Sequence, residues 1–246
     1  MHDRTRSTVA QTTETQTTET RTSDAKQRVT PVWDLFIRVF HWLLVAALGT
    51  AWWTGNQGDF DLMEWHMIAG YTVLGLVLFR VIWGVIGSYH TRFNHFYHDP
   101  VSTLSYLRLL LRNRAPTYTG HNPLGSWMVY LLLLLCVTQA GLGLFSSDDI
   151  FIEGPLARAV DSETVRLMTY WHKTLVDYFL ITVGLHLLGV AYHQFIKGEP
   201  LIQAMFHGKK PAAEDTPRYP YAPIWLGLMT ASLSAAIIWY AINRLL

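Results

Sequence analysis

Five apolar segments, each about 20 residues or longer, constrain this 246-residue chain more than any other feature. A helix needs about 20 apolar residues to cross the ~30 Å hydrocarbon core of a bilayer. Strands of a membrane barrel are shorter and alternate in polarity, so these segments predict helices. Trp and Tyr lie at many segment ends, as is typical of residues at the membrane–water interface. The segments are 33–54, 64–87, 125–145, 171–196 and 222–245.

Composition supports a membrane protein and excludes several other classes. Only 15% of the residues are charged and 50% are hydrophobic, whereas a soluble chain has about 25% charged residues. The single cysteine, Cys136, excludes a disulfide scaffold and a four-cysteine zinc or iron–sulfur site. A net charge of +1 gives no support for nucleic-acid binding, which needs a strongly basic surface. The predicted fold class is all-α, an integral membrane helical bundle.

The chain divides into three predicted regions. Residues 1–30 are rich in Thr, with interspersed Gln, Glu and Arg, and bury too little apolar surface to fold, so they predict a disordered tail. Residues 31–210 contain the first four spans and form the predicted functional domain. Residues 211–246 are a linker and an additional transmembrane helix. Within the domain, the leucine- and arginine-containing stretch 100–113 predicts a short helix lying in the membrane interface.

Charge asymmetry predicts the orientation. Lys and Arg concentrate in the tail and in the connections after the second and fourth spans, whereas the other connections are mainly acidic. Because cytoplasmic loops carry the excess of Lys and Arg, the N terminus is predicted to be cytoplasmic and the C terminus to lie outside. The acidic outer stretch 146–163 is interpreted either as a docking surface or lid for a quinone site, or as a solvated loop that the topology requires.

Five histidines lie within the spans or at their edges, where an unpaired imidazole is costly and therefore points to function. A hydrogen bond to a neighbouring helix would explain any one of them. Two ligands of one haem iron, however, must lie at the same depth. At ~1.5 Å per residue, His66 and His172 are level near the outer side, and His41 and His186 are level in the inner half. His193 lies ~10 Å deeper than His186.

The depths of these histidines, combined with helical geometry, predict the cofactor. His172 and His186 are 14 residues apart, which places them on nearly the same face of one helix. The pattern predicts two stacked bis-histidine haems, an outer one on His66 and His172 and an inner one on His41 and His186. The chain contains no C-x-x-C-H motif, so both would be haem b, held non-covalently.

Haem propionates need cations or hydrogen-bond donors. Arg38 and Arg80 are candidate partners of the inner haem and Lys173 of the outer one; the alternative is that each side chain extends to the headgroups. His193 is a further candidate propionate partner, and less plausibly an alternative ligand. The histidines of the connections are interpreted as solvated. The alternative for three of these histidines is that they form a metal cluster: His90, His95 and His98.

Several stretches have the pattern of a known family. The first span contains VWDLFIRVFHWLL with R-x-x-H-W, the second begins EWHMIAGYTVLGLVLFRVIWGVIGS, and the fourth contains WHKTLVDYFLITVGLHLLGVAYH with W-H-K and a second His 14 residues later. These stretches resemble the bacterial cytochrome b561 and nickel–iron-hydrogenase b-type cytochrome superfamily over about residues 32–210. The stretch FRVIWGVIGSYHTRF is similar to the hydrogenase cytochromes in particular.

The resemblance implies a four-helix core with two b haems on His41, His66, His172 and His186. It implies electron transport in the bacterial inner membrane, between the quinone pool and a periplasmic cytochrome, dehydrogenase or hydrogenase-type partner. The Thr-rich tail and the fifth span depart from the minimal four-helix form. The fifth span contains no histidine and is interpreted as a packing or docking helix.

Two other functions compete with electron transfer between partners. The chain would be an enzyme in its own right if it oxidised quinol or superoxide at the outer haem, where Lys173 would attract an anion. It would be a non-redox membrane scaffold if its histidines only formed hydrogen bonds. A secondary transporter is disfavoured because broken helices in related halves are not evident.

Overall fold

A computed structural model describes residues 28–148 and 152–244. It consists of eight α-helices and two short strands within these ranges, with 3-10 turns at Tyr89–Thr91 and Ala157–Ala159. The helices are α1 (Leu35–Gly55), α2 (Phe60–Ile86), α3 (Phe93–Phe96), α4 (Pro100–Leu111), α5 (Pro123–Leu144), α6 (Ser162–Ala191), α7 (Leu201–His207) and α8 (Ile224–Arg244). The strands are β1 (Arg28–Pro31) and β2 (Lys209–Ala212).

Five of these helices are long and apolar enough to cross a membrane, which confirms the predicted all-α membrane bundle. They are α1, α2, α5, α6 and α8. The predicted start of the fourth span was wrong. Asp161 caps α6 by accepting a hydrogen bond from Thr164 N at 2.9 Å, so the helix begins at Ser162 rather than at Trp171. The span runs from Ser162 to Ile196, about 50 Å at 1.5 Å per residue, and therefore extends beyond a ~30 Å core.

The predicted short helix in residues 100–113 is confirmed as α4. Asp99 caps it by accepting hydrogen bonds from Val101 N at 2.9 Å and Ser102 N at 3.0 Å. Pro100 occupies the first turn, where its fixed φ suits a helix and its missing N–H costs nothing.

The two strands pair in an antiparallel ladder whose register places Arg28 opposite Ala212 and Pro31 opposite Lys209. Residues 28–30 therefore form part of a strand and not of the disordered tail to which the sequence assigned them; the tail's other residues, 1–27, lie outside the described residues. The boundary predicted between 210 and 211 falls inside β2. The end of the bundle that carries this ladder is called the strand end below, and the end with the α1–α2 and α5–α6 connections is the opposite end.

The first four membrane-spanning helices pack in the order of the chain. Helix α1 packs on α2, α2 on α5 and α5 on α6, while α1 and α6, both fully described, have no extended contact. Helix α8 packs outside this core, against α2. Two glycines let it approach: Gly227 faces the ring of Phe36, and Gly75 faces Ile238, whose Cγ1 would lie 3.7 Å from a Cβ at Gly75.

Candidate cofactor site

His66 and His172 face each other toward the opposite end of the bundle. Their ring planes are perpendicular, at 89°, and their centroids are 5.9 Å apart. Nδ1 of His66 lies 2.8 Å from the carbonyl oxygen of Ala51, and Nδ1 of His172 lies 2.9 Å from that of Gln139. Because a carbonyl oxygen only accepts, each Nδ1 carries the proton, and each Nε2 keeps a lone pair that is free to bind a metal.

The same local arrangement orients both rings. Gly55 and Gly143 each follow, by one helical turn, the residue whose carbonyl accepts the histidine proton. A Cβ at Gly55 would lie 2.8 Å from Nδ1 of His66, and one at Gly143 would lie 3.0 Å from Cε1 of His172. A side chain at Gly55 would overlap the His66 ring, and one at Gly143 would force the His172 ring to shift by a few tenths of an ångström. Gln139 also donates from Nε2 to the backbone oxygen of His172 at 2.8 Å, which fixes α5 against α6.

His41 on α1 and His186 on α6 form the second set. Their side chains are close enough to interact electrostatically. Nδ1 of His41 is buried and has no hydrogen-bond partner among the described residues. Leaving a buried polar atom unpaired costs free energy, so this ring is not explained by hydrogen bonding within the described part of the protein.

Open space lies beside two partly exposed backbone positions of the bundle. A Cβ placed on Gly70 of α2 or Gly184 of α6 would meet no atom within 4 Å. Helices α1 and α6 have no extended contact. Space for a further group is therefore left beside Gly70 and Gly184.

Arg38 and Lys173 lie at different ends of the bundle. The Nε atom of Arg38 donates to the backbone oxygen of Asp34 at 3.3 Å, and its Nη1 donates to that of Phe206. These bonds hold Arg38 at the strand end, one turn from His41. Lys173 is exposed and lies close enough to His172 to interact with it electrostatically.

Arg80 is buried at the strand end, with 2% of its surface exposed. Its guanidinium carbon lies 4.5 Å from the ring centroid of Phe93 and 5.7 Å from that of Phe96, an arrangement that favours a cation through the π electrons. Its Nη1 is buried without a hydrogen-bond partner in the described chain. Arg80 thus holds an unused donor inside the protein.

His193 has both ring nitrogens against protein groups. Nδ1 lies 3.3 Å from Oε2 of Glu199, and Nε2 lies 3.3 Å from Nδ2 of Asn122. Lys197 Nζ lies 3.1 Å from the other oxygen of Glu199. Burial raises the pKa of Glu199, but His193 and Lys197 outweigh it, so the net pKa is lowered. Sequence reasoning missed Asn122 and Glu199, because they lie in connections; the N-cap signal Asn-Pro before the third span was the available clue.

The histidines of the strand-end connections differ in burial. His95 is exposed, as predicted, but His121 packs between Trp33 and Phe96, with both centroids 4.6 Å away. Burial, ahead of nearby positive charges, lowers the pKa of His121 to about 3, so interpreting it as solvated was wrong. Burial also lowers the pKa of His90 to about 4. Within the described ranges, no three His, Cys, Asp or Glu side chains are placed to hold a metal ion, so the alternative cluster is not formed.

A bundle of membrane-spanning helices with a facing pair of Nδ1-bonded histidines is the arrangement expected of a membrane protein that binds a metal-containing cofactor. The chain belongs to the prokaryotic cytochrome b561 family, whose sequence model matches residues 32–208. It is therefore a b-type cytochrome with a role in electron transfer.

Two curated relatives are similar over most of their length. A probable Ni/Fe-hydrogenase B-type cytochrome subunit of Azotobacter chroococcum mcd 1 is 24% identical over 227 residues, covering 78% of this chain and 92% of that protein. A protein of the same description from Azotobacter vinelandii is 23% identical, with the same coverage. No solved structure gives a significant match.

Proposed function

We propose that this protein holds two non-covalent haems b and carries electrons across the bacterial inner membrane. One haem binds between His66 and His172 and the other between His41 and His186. Two histidine ligands on each haem would leave its iron without a free coordination position, so the haems would supply electron transfer and not oxygen binding. The electrons move between the quinone pool and a periplasmic redox partner.

The geometry of His66 and His172 is the observation that carries this proposal. Two metal–imidazole bonds of ~2 Å, plus ~1.1 Å from each nitrogen to its ring centre, separate two axial rings by about 6 Å. The observed centroid distance is 5.9 Å. The Nδ1 bonds leave the correct nitrogen available on both rings, as metal-binding histidines require.

Support for the inner site comes from three features. His186 follows His172 by 14 residues on α6, about 20 Å along the helix, so one helix offers ligands at two depths. Nδ1 of His41 lacks a partner in the described chain. Helices α1 and α6, which carry His41 and His186, have no extended contact that would fill the space between them.

Three basic residues would stabilise the propionates of the two haems. Arg80 supplies a buried, unused donor, and Arg38 lies one turn from His41; we propose that both stabilise the inner propionates. Lys173 would do so for the outer haem, from an exposed position near His172.

Orientation and partner follow from charge and from the relatives. Lys and Arg are concentrated at the strand end, so we assign this end to the cytoplasm, together with the N terminus, and place the His66–His172 pair and the C terminus on the periplasmic side. The curated relatives are described as hydrogenase cytochrome subunits. We therefore propose a hydrogenase-type protein, or another periplasmic dehydrogenase or cytochrome, as the partner that meets the outer haem.

A second candidate is oxidation of superoxide or quinol by the protein alone. The exposure of Lys173 beside His172 favours it, because a cation there would attract a small anion to the outer haem. Rapid reduction of the purified protein by superoxide, lost in Lys173→Glu, would support this candidate. Equal rates of reduction by superoxide in the wild-type protein and in Lys173→Glu would contradict this second candidate.

Electron transport across a membrane tests the proposed function. The purified protein is inserted into vesicles that contain ferricyanide, and a membrane-impermeant reductant is added outside. Ferricyanide is expected to be reduced by the wild-type protein and by His207→Ala, an exposed control, but about as slowly as in empty vesicles by His186→Ala. Equal rates with wild type and His186→Ala would contradict transport through the inner site.

A further inference from the structure

The last turn of α6 widens into a π-helical segment, Tyr192–Ile196, that contains the buried His193. Single π turns are rare and frequently occur at functional sites. His193 follows His186 by seven residues, close to two helical turns, so it lies on the same face and ~10 Å nearer the strand end. The segment thus places a second imidazole directly below the proposed inner haem.

The hydrogen bonds of Asn122 determine where His193 carries its proton. Oδ1 of Asn122 caps α5 by accepting from Gly125 N at 2.8 Å. The amide nitrogen must therefore face Nε2 of His193, 3.3 Å away, and an amide nitrogen only donates. Nε2 is consequently unprotonated, and the ring proton lies on Nδ1, which faces Glu199 at 3.3 Å.

Two neighbours act on this imidazole in opposite directions. The carboxylate of Glu199 stabilises a positive charge on the ring. Asn122 opposes this charge, because a second ring proton would have to lie on Nε2, where it would face the amide NH₂. The amide could accept that proton only by turning, which would break its hydrogen bond to Gly125. His193 therefore has one neighbour that favours the imidazolium and one that opposes it.

The surrounding charged and titratable groups come from the connection after α6, from β2 and from α4. Lys197 lies beside Glu199 in the connection after α6, and Lys210 on β2 interacts electrostatically with both. Tyr106 on α4 interacts with Glu199 and with Tyr118 and Tyr192. His193 is 6% exposed, while the side chains of Glu199 and Lys197 are 12% and 10% exposed and reach toward the water at the strand end.

We propose that His193 is a redox-linked proton acceptor for the inner haem; this rests on the proposed function. If the inner haem took up one electron from its donor, one proton from water at the strand end would bind Nε2 of His193. The added negative charge would favour the imidazolium. When the electron left, the proton would return to the same water.

Potentiometric titration of the purified holoprotein between about pH 5.5 and pH 8.5 tests this inference. The two haem signals are followed in the visible spectrum, and His186→Ala identifies the inner one by its loss. The inner midpoint is expected to rise as the pH falls, while the outer one changes less. A pH-independent inner midpoint beside two intact haem signals would overturn the inference and leave the proposed function standing. Absence of haem would overturn both.

Two variants give opposite expected shifts. Asn122→Asp keeps the helix cap, since Asp caps as well as Asn, and accepts from a protonated Nε2, so the pH range of the effect should move up by about one unit or more. Glu199→Gln removes the stabilising charge and should move it down. His193→Gln should abolish the effect, and the exposed control His207→Gln should keep it. Shifts in the same direction, or an effect that survives in His193→Gln, would overturn the inference.

Discussion

A Cβ atom on Gly55 would lie 2.8 Å from Nδ1 of His66, closer than side-chain carbons pack. Replacing this glycine by alanine must therefore displace the imidazole and weaken its bond to the carbonyl of Ala51. We predict that Gly55→Ala lowers the content of the outer haem or shifts its midpoint potential. Haem quantification and redox titration of the purified variant measure both quantities.

Gly49 on the same helix provides a matched control. A Cβ there would meet no atom within 4 Å, so Gly49→Ala is expected to retain both haems. Gly143→Ala, which places a Cβ 3.0 Å from His172, should resemble Gly55→Ala. A normal outer haem in both Gly55→Ala and Gly143→Ala would show that these glycines do not orient the rings.

Asp34 is predicted to be the most important cap of the bundle. It is 2% exposed, and its side chain accepts hydrogen bonds from Ile37 N at 2.9 Å and from Trp83 Nε1 at 3.0 Å. Asp34→Ala removes the cap and leaves a buried indole N–H unpaired, a combined cost of roughly 2–4 kcal/mol. Thermal unfolding in detergent measures the loss. Asp59, the exposed cap of α2, provides the control. Asp59→Ala loses only a cap and should lower the Tm less than Asp34→Ala does. An equal decrease in Tm in the two variants would contradict the role of the bond to Trp83.

His121 gives the stability of the protein a defined pH dependence. Burial is the main reason that its pKa falls from 6.5 in the unfolded chain to about 3. Below pH 6.5 the unfolded state binds a proton that the folded state does not, so stability present above pH 6.5 is lost as the pH falls toward 3. The decrease in Tm between pH 7.5 and pH 5 should be smaller in His121→Phe than in wild type. His207→Gln, at an exposed position, should retain the full decrease; equal decreases in all three proteins would exclude His121 as the cause.

Helix α8 is predicted to stabilise the bundle without contributing to the haem sites. A Cβ at Gly227 would lie 2.2 Å from Cε2 of Phe36, so Gly227→Val should displace α8 and lower the Tm. No histidine lies on α8, and the visible spectrum should keep both haem signals. Loss of a haem in this variant would show that α8 supports a cofactor site directly.

The membrane spans could be predicted from the sequence because hydropathy and length decide them. Depth arithmetic also placed His66 and His172 level, and they are neighbours in the structure, although their role as ligands stays a prediction. The earlier start of α6, at Ser162, lengthens the helix before Trp171 and leaves the 14-residue spacing of His172 and His186 unchanged. For His41 and His186 the structure shows proximity, and their pairing on one iron likewise remains a prediction.

Other features depended on contacts between distant segments. The pairing of β1 with β2 brings residues 28 and 212 together, and no local pattern in the Thr-rich tail predicts this pairing. The His193–Glu199–Asn122 network joins two connections to a π-helical turn that has no sequence signature. The role of Gly55 and Gly143 could not be predicted from the sequence, because only the tertiary structure shows the rings that they face.

The haem content of the purified protein, measured as pyridine haemochrome with a reduced-minus-oxidised visible spectrum, tests the central claim most directly. We predict about two low-spin haems b per chain. His66→Ala and His172→Ala should each lose the same haem, and His41→Ala and His186→Ala should each lose the other. Loss of different haems within one pair would contradict the proposed ligation, and a protein that contains no haem would contradict the account as a whole.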